Sequence, residues 1–129
     1  MKVVAIDYGS ARTGVAVSDP TGELARPLET IERIGAPAGV ARLRAILAEE
    51  AAELLLVGMP LLPDGTRGDQ ANATLAFVGR LRPQLEVPIE FEDERFTSAA
   101  AERAGGASSL DARAAAVLLQ GWLDRRRAG

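Results

Sequence analysis

An uninterrupted apolar run in the middle of the chain, Leu54–Met59, constrains the fold more than any other feature. A strand whose apolar residues do not alternate with polar ones has both faces buried, which is typical of a strand inside a parallel sheet. Such a sheet needs helices on both of its faces. The run therefore predicts an α/β fold in which Leu54–Met59 is an inner strand.

The segment before this run has the pattern of three strands. Val3–Ile6 is a short β-rich run that ends before Asp7, and Thr13–Val17 is a second strand candidate. Leu24–Ile31 is predicted as a third, more exposed strand, and Pro27 within it indicates an edge position or a β-bulge. Their short connections predict an antiparallel meander.

From residue 37 onward, helical and strand patterns alternate. In order, the predicted elements are a helix over Pro37–Glu53, the buried strand, a helix capped by Asp69 with Ala73, Ala76, Phe77 and Leu81 on its apolar face, a strand over Val87–Phe91, a short helix over Thr97–Ala104 and a long helix over Ser108–Arg127. We expect a mixed five-stranded sheet, an antiparallel meander followed by βαβ units, flanked by helices. With 129 residues and no repeat or linker, residues 1–129 are expected to form one domain.

Composition limits the chemistry that this fold can carry. The chain has no Cys and no His, which excludes disulfide frameworks, Cys/His zinc sites and catalysis by thiol or imidazole. Any reaction must then rest mainly on carboxylates, together with a hard cation. The net charge of −3 disfavours non-specific nucleic-acid binding by the whole surface but allows a local basic patch. No secretory signal pattern or membrane-length apolar run is evident, so we expect a cytoplasmic protein.

Asp7 is the most informative single residue, because it ends a strand expected in the middle of the sheet. A buried carboxylate costs several kcal/mol unless it is paired, hydrogen-bonded or bound to metal. One interpretation is a metal ligand at a strand end. The alternative is a structural partner such as Arg12 or Arg95, or an Asx-turn to Gly9.

Asp93 and Glu94 follow the fifth strand, where ligands tend to bind in α/β sheets. Beside Arg95, they are also typical of a solvated charge cluster. Asp111 lies at the start of the last helix, where Ser108 and Asp111 match a capping box. It nevertheless shares a helical stripe with apolar residues that should face the sheet, namely Ala115, Leu118 and Trp122.

Together these acids predict a metal centre at one end of the sheet. Clustered carboxylates repel one another, and without His an all-oxygen site favours Mg²⁺ or Mn²⁺. Two such ions would suit phosphodiester hydrolysis. Arg12, Arg67 and Arg95 are candidates for a basic rim that binds phosphates, and the Gly9–Gly14 segment is expected to be a tight hairpin.

The motifs also resemble a known family. The segments that carry the resemblance are Ile6–Gly9 with Arg12, Gly14–Asp19, Pro27–Thr30, Val57–Pro60 with Asp64-Gly65, Asp93–Thr97 and Asp111–Ala115. In this order, and over almost the whole chain, they resemble the bacterial YqgF (RuvX) family. That resemblance implies an RNase H-like fold related to the RuvC Holliday-junction resolvases, and a cytoplasmic nuclease acting at the 5′ end of pre-16S rRNA.

Carried over by motif, the resemblance implies that Asp7, Glu94 and Asp111 bind metal and act in catalysis, with Asp93 beside them as a further catalytic acid. Arg95 and Thr97 belong to the same motif as Glu94 and are expected to contact substrate. The acid that the resolvases carry on strand four has no counterpart at Val57-Gly58.

The first hypothesis is thus a metal-dependent nuclease acting on precursor rRNA, as a monomer or weak homodimer, with the ribosome as a further candidate partner. The runner-up is a Holliday-junction resolvase acting on branched DNA. Two other classes remain open at this stage. One is a nucleotide-binding module, because the Asp7 hairpin is similar to the phosphate hairpin of actin-like ATPases. The other is a non-catalytic ribosome-assembly factor.

Overall fold

A computed structural model describes residues 1–94 and 110–128, with side chains except at 110, 111 and 128, and the strands form one mixed sheet. The strands are β1 (Val3–Asp7), β2 (Arg12–Ser18), β3 (Ala25–Glu32), β4 (Leu54–Met59) and β5 (Ile89–Asp93). The helices are α1 (Pro37–Glu49), α2 (Asp69–Leu81) and α3 (Leu110–Ala128), with a 3₁₀ turn at Arg82–Gln84. The short helix predicted over Thr97–Ala104 lies outside the described residues.

The sheet order is β3-β2-β1-β4-β5, which confirms the predicted architecture. β1, β2 and β3 pair antiparallel, whereas β4 runs parallel to both β1 and β5. β4 has the predicted bounds and is buried along its whole length. The carboxyl ends of β1, β4 and β5 therefore meet at one edge of the sheet.

The prediction for Pro27 is also confirmed. β3 is an edge strand, and its register with β2 shifts between Val15 and Ala16, whose partners are Glu29 and Pro27. Leu28 is the extra residue of this bulge. Since Pro27 has no N–H to donate, the bulge and the edge position accommodate it without loss of an inner-sheet bond.

Alternation along the strands separates two cores. Val4 and Ile6 of β1 lie in the cluster that α1 and α2 cover, whereas Val3 and Ala5 lie in the cluster that α3 covers. The α3 stripe predicted to face the sheet does so, because Ala115, Leu118 and Trp122 are all buried. Asp7 has the same parity as Val3 and Ala5, and therefore belongs to the α3 side of the sheet.

α1 ends four residues before the predicted end. After Glu49 the backbone turns at Ala51, which has a left-handed φ of 51°. The N–H of Ala52 then donates to the carbonyl of Leu47 and closes the helix. A left-handed residue that is neither Gly nor Asn gives no signal in the sequence, which explains the overextended prediction.

The cap of α2 was predicted wrongly. Gly68 is the N-cap without a side-chain cap bond, and Asp69 is the first helical residue. The predicted apolar face is only half right, because Phe77 and Leu81 are buried but Ala73 and Ala76 are exposed. The other buried positions are Ala71, Thr74 and Val78. Thr74 is tolerated in the core because its hydroxyl donates to the carbonyl of Gln70 at 2.9 Å.

β5 lies two residues later than predicted. Its ladder with β4 begins where Leu55 pairs with Ile89, and the N–H of Leu55 donates to the Pro88 carbonyl. Pro88 has no N–H, so the segment before it does not extend the ladder. For the last helix, the predicted start at Ser108 lies outside the described residues. None of the helices in the described part of the chain has the length and apolar character needed to cross a bilayer.

Candidate active site

The carboxyl edge of the three parallel strands brings Asp7 and Glu94 to the same face of the sheet. Asp7 is the last residue of β1, and Glu94 directly follows β5. Glu90 and Glu92 of β5 contact α3 through Trp122 and Arg125, respectively. Glu94 continues that alternation, so it also lies on the α3 side.

Gly58 of β4 lies between these two acids. The β1–β4 register pairs Ile6 with Val57, and one step further places Asp7 beside Gly58. A Cβ on Gly58 would lie 3.1 Å from both Cγ and Cδ of Glu94 and 3.0 Å from Cδ2 of Leu118. The Glu94 side chain therefore extends from the end of β5 over β4, toward the β1 position of Asp7.

Glycine also lies on the other side of Asp7. In the β1–β2 ladder, Asp7 pairs with Gly14. The neighbours of Asp7 on both adjoining strands thus have no side chain.

Both acids are buried. Asp7 is 7% exposed and Glu94 is 6% exposed, and the other buried polar residues of the described chain are uncharged: Thr13, Ser18 and Thr74. Burying two carboxylates near each other is unfavourable unless hydrogen bonds or a cation compensate their charge. A divalent cation bound between the two carboxylates would compensate their charge.

Asp93 lies on the opposite face. Ile89 and Phe91, which share its parity, pack against the core under α1 and α2. Asp93 itself pairs with Met59 at the end of the ladder and is half-buried. The structure therefore brings Glu94 to Asp7, and it does not bring Asp93 there.

The third predicted acid, Asp111, belongs to the first turn of α3, and its side chain is outside the described part. The stripe on which it lies passes over the site, because Leu118 of that stripe contacts the space above Gly58. Among the side chains that the structure describes, no three acidic groups gather around a common point. A shared site for Asp7, Glu94 and Asp111 stays a prediction.

A tight hairpin borders the site, as the sequence predicts for Gly9–Gly14. The N–H of Gly9 donates to the hydroxyl oxygen of Thr13 at 3.2 Å, and the same hydroxyl donates to the Gly9 carbonyl at 3.0 Å. A Cβ on Gly9 would lie 2.4 Å from the Arg12 carbonyl oxygen, so only glycine fits this approach. Arg12 begins β2, is exposed, and lies at the same edge as Asp7 because β2 is antiparallel to β1.

The loop after β4 approaches the same edge and is internally bonded. The N–H of Leu62 donates to the Thr66 carbonyl, and Asp64 accepts bonds from the N–H and the hydroxyl of Thr66. This closed turn precedes Arg67, which is exposed just before α2. Arg12 and Arg67, two of the predicted phosphate-binding residues, are thus exposed in segments next to the carboxyl edge of the sheet, and their contact with a phosphate stays a prediction. The other two, Arg95 and Thr97, lie outside the described residues.

Two contributors were not singled out from the sequence. Gly58 entered as part of the Val57–Pro60 motif and as the position of a missing acid, although a glycine inside a buried strand is itself a signal of close approach. Tyr8 follows Asp7 on the other face, and its ring stacks on Phe77 of α2 with centroids 4.6 Å apart. That contact packs the end of β1 against α2.

The basic run at the end of α3 does not add to the site. Arg125 pairs with Glu92, Arg127 with Asp124, and Arg126 lies over the Trp122 ring at 4.7 Å. These arginines stabilise the end of the helix, as a solvated basic terminus would.

Sequence comparison connects this geometry to known proteins. A family model described as "RuvX: Holliday junction resolvase" matches residues 1–125. A protein of Crocosphaera subtropica named "Putative pre-16S rRNA nuclease" is 41% identical over 137 residues, covering 99% of this chain and 96% of the relative. A protein of the same name from Anaeromyxobacter dehalogenans is 40% identical and covers 98% of both chains.

Structure comparison finds the same architecture. T. thermophilus RuvC in complex with a Holliday junction substrate superposes with a TM-score of 0.63 at 19% identity, covering 98% of this chain and 96% of RuvC. The Fowlpox virus resolvase in its junction complex gives 0.59 at 8% identity, covering 98% of this chain and 99% of that one. At these identities the likeness concerns the fold, and it confirms the predicted RNase H-like architecture.

Proposed function

The chain belongs to the RuvX family, and from that membership we propose that it is a metal-dependent nuclease formed by one RNase H-like domain over residues 1–129. It hydrolyses phosphodiester bonds of pre-16S rRNA near the 5′ end, in the cytoplasm. The observation that carries the proposal is the pair of buried carboxylates, Asp7 and Glu94, on one face at the carboxyl edge of the parallel strands. The names of the curated relatives support the substrate.

The donor set fits a hard divalent cation. Carboxylate oxygens are the ligands that Mg²⁺ and Mn²⁺ prefer, and the chain contains no Cys or His that would favour a softer metal. Asp7 and Glu94 would hold the ion, with Asp111 as the third ligand from α3. When bound, such an ion lowers the pKa of water and offsets charge on the phosphate.

The protein's own residues bind and orient the substrate. Arg12 and Arg67 lie exposed at the site edge and would bind phosphates on either side of the scissile bond. Arg95 and Thr97 are assigned the same role through their motif, whereas Asp93, on the opposite face of the sheet, is not assigned a role in holding the ion. The glycines of the hairpin place no side chain beside Asp7, so that a phosphate reaches the carboxylates.

The decisive experiment compares Asp7→Asn with the wild-type protein in Mn²⁺-dependent cleavage of precursor 16S rRNA. The variant is expected to lose at least about 100-fold in rate, because one charge of the metal site is gone. Its Tm without metal should be unchanged or higher, since removing one of two neighbouring buried charges relieves repulsion. Asp124→Asn, at the far end of α3, is the matched control and should cleave normally.

Assays with different substrates distinguish the alternative functions. Cleavage of four-way DNA junctions with linear RNA left intact would establish the resolvase function instead, and would require a dimer that cuts two strands. Equal cleavage by Asp7→Asn and wild-type protein would contradict the proposed site. A wild-type protein that binds pre-ribosomal particles but cleaves nothing would be a non-catalytic assembly factor.

A further inference from the structure

We infer that Gly58 is a positioning residue that lets Glu94 reach the Asp7 side of the sheet. This inference rests on the proposed function, because Glu94 is one of the proposed metal ligands. Gly58 does not touch the reacting atoms. It acts through the space that its missing side chain leaves above β4.

The first step is the strand itself. β4 is buried on both faces, and its other residues are Leu, Val and Met. A glycine in a strand interior loses packing and is destabilising relative to alanine. Its presence at the residue between the two acids therefore calls for a local reason, and backbone conformation is not that reason, because the positive-φ glycines are Gly22 and Gly65 among the described residues.

The second step is the occupied space. The Cγ and Cδ atoms of Glu94 lie 3.1 Å from where a Cβ of residue 58 would be, and the Leu118 methyl group lies at 3.0 Å. These separations are tighter than ordinary carbon–carbon contact, which is about 3.5–4.0 Å. A methyl group at position 58 would therefore displace Glu94 and Leu118 by a few tenths of an ångström, and we expect this to move the Glu94 carboxyl group relative to Asp7.

The third step is the length of the acid. Glu94 starts one strand further from Asp7 than β4 does, and its Cγ and Cδ are the atoms that span the gap. A shorter acid at position 94 would leave the space above Gly58 unfilled. Gly58 and Glu94 thus form a matched pair, in which a long side chain on β5 lies across a missing one on β4.

The test is Gly58→Ala, with Gly79→Ala as the matched control. Gly79 is an exposed position of α2, and a Cβ there meets no atom within 4 Å. Gly58→Ala should lower the cleavage rate of precursor rRNA by about 10- to 100-fold, because the ligand is misplaced. It should also raise the Mn²⁺ concentration for half-maximal rate, so that excess Mn²⁺ restores part of the activity. Gly79→Ala should cleave like the wild-type protein.

A second measurement tests the contact without metal or activity. In the presence of a chelator, Gly58→Ala should lower the Tm of the wild-type background clearly more than it lowers the Tm of a Glu94→Ala background. Equal losses in the two backgrounds would overturn the inference, since the added methyl group would then act only on Leu118.

The outcomes separate the two claims. Normal cleavage and normal Mn²⁺ dependence in Gly58→Ala, in a wild-type protein that cleaves, would overturn the inference and leave the proposed function intact. A wild-type protein without nuclease activity would overturn the proposed function. The chelator measurement would then still decide whether Gly58 positions Glu94.

Discussion

At the scale of single residues, the carboxylates at the two edges of the sheet have different surroundings. Asp7 and Glu94 are buried near each other at the carboxyl edge. The carboxylate of Asp19, at the opposite edge, accepts hydrogen bonds at Oδ1 from the N–H of Glu23 and the hydroxyl of Thr21, both at 2.9 Å. The hydrogen bond from Glu23, above all, holds the pKa of Asp19 below its ordinary value of 3.8.

This gives a pH-dependent prediction for Asp19→Asn. Because the folded pKa lies below the unfolded one, the ionised carboxylate stabilises the fold at pH values above the unfolded pKa of about 4. That contribution is lost as the pH falls through the folded pKa. The Tm difference between wild-type protein and Asp19→Asn should therefore shrink on acidification.

Asp124→Asn is the control for that pH series. It also removes one carboxylate charge, but from a group that is hydrogen-bonded to the side chains of Gln120 and Arg127. A Tm difference for Asp19→Asn that stays constant down to about pH 2.5 would contradict the assigned role of the charge.

The sequence identifies an informative residue more readily than it identifies the residues that lie next to it in the fold. Asp7 was identified because an acid after an apolar strand is unusual in itself. The function of Gly58 depends on Glu94, which is 36 positions later in the chain and whose side-chain direction no local pattern encodes. The face on which Asp93 and Glu94 lie likewise depends on how β5 pairs with β4, which no local pattern encodes.

At the scale of elements, the predicted bounds hold where a physical boundary is written in the sequence. β4 is delimited by Glu53 and Pro60 and was predicted to the residue. α1 was overextended because its stop is a left-handed Ala51, and α2 was given the wrong cap because Gly68 carries no capping side chain. Buried small residues, such as Ala71, are also invisible to a search for large apolar ones.

Two opposite substitutions should each stabilise an element. Ala51→Gly removes the steric cost of a left-handed alanine after α1, about 1 kcal/mol. Gly79→Ala removes the entropic cost of an exposed helical glycine, about 0.5–1 kcal/mol. Each should raise the Tm by about 4 °C in thermal unfolding. The two increases in Tm should add, because Ala51 follows α1 and Gly79 lies on α2. A lower Tm for Ala51→Gly would contradict the backbone assignment there.

At the scale of the whole molecule, an acidic chain must bind an acidic polymer. With a net charge of −3, attraction to a nucleic acid has to come from a local surface, and Arg12 and Arg67 are two exposed arginines near the carboxyl edge. The resemblance to a family and the mixed five-stranded architecture were both accessible from the sequence. Which arginines share an edge with the acids was accessible only through the antiparallel course of β2 and the loop after β4.

The arginine prediction is a change in salt dependence. In an Asp7→Asn background that does not cleave, Arg12→Gln/Arg67→Gln should weaken binding of labelled precursor rRNA. It should also reduce the slope of log K against log salt by about 1.5, since each lost phosphate contact accounts for ~0.7–0.9. Arg44→Gln, on α1 away from the site, should leave the slope unchanged. An unaltered slope in the double variant would mean that RNA binds elsewhere.

The most direct test of the central claim is a crystal structure of the protein with Mn²⁺, located by its anomalous scattering. The account predicts a peak within direct coordination distance of both the Asp7 and the Glu94 carboxylate oxygens, with Asp111 completing the site from α3. A structure at saturating Mn²⁺ in which both carboxylates are instead held by arginine or backbone amides, with no ion between them, would contradict it.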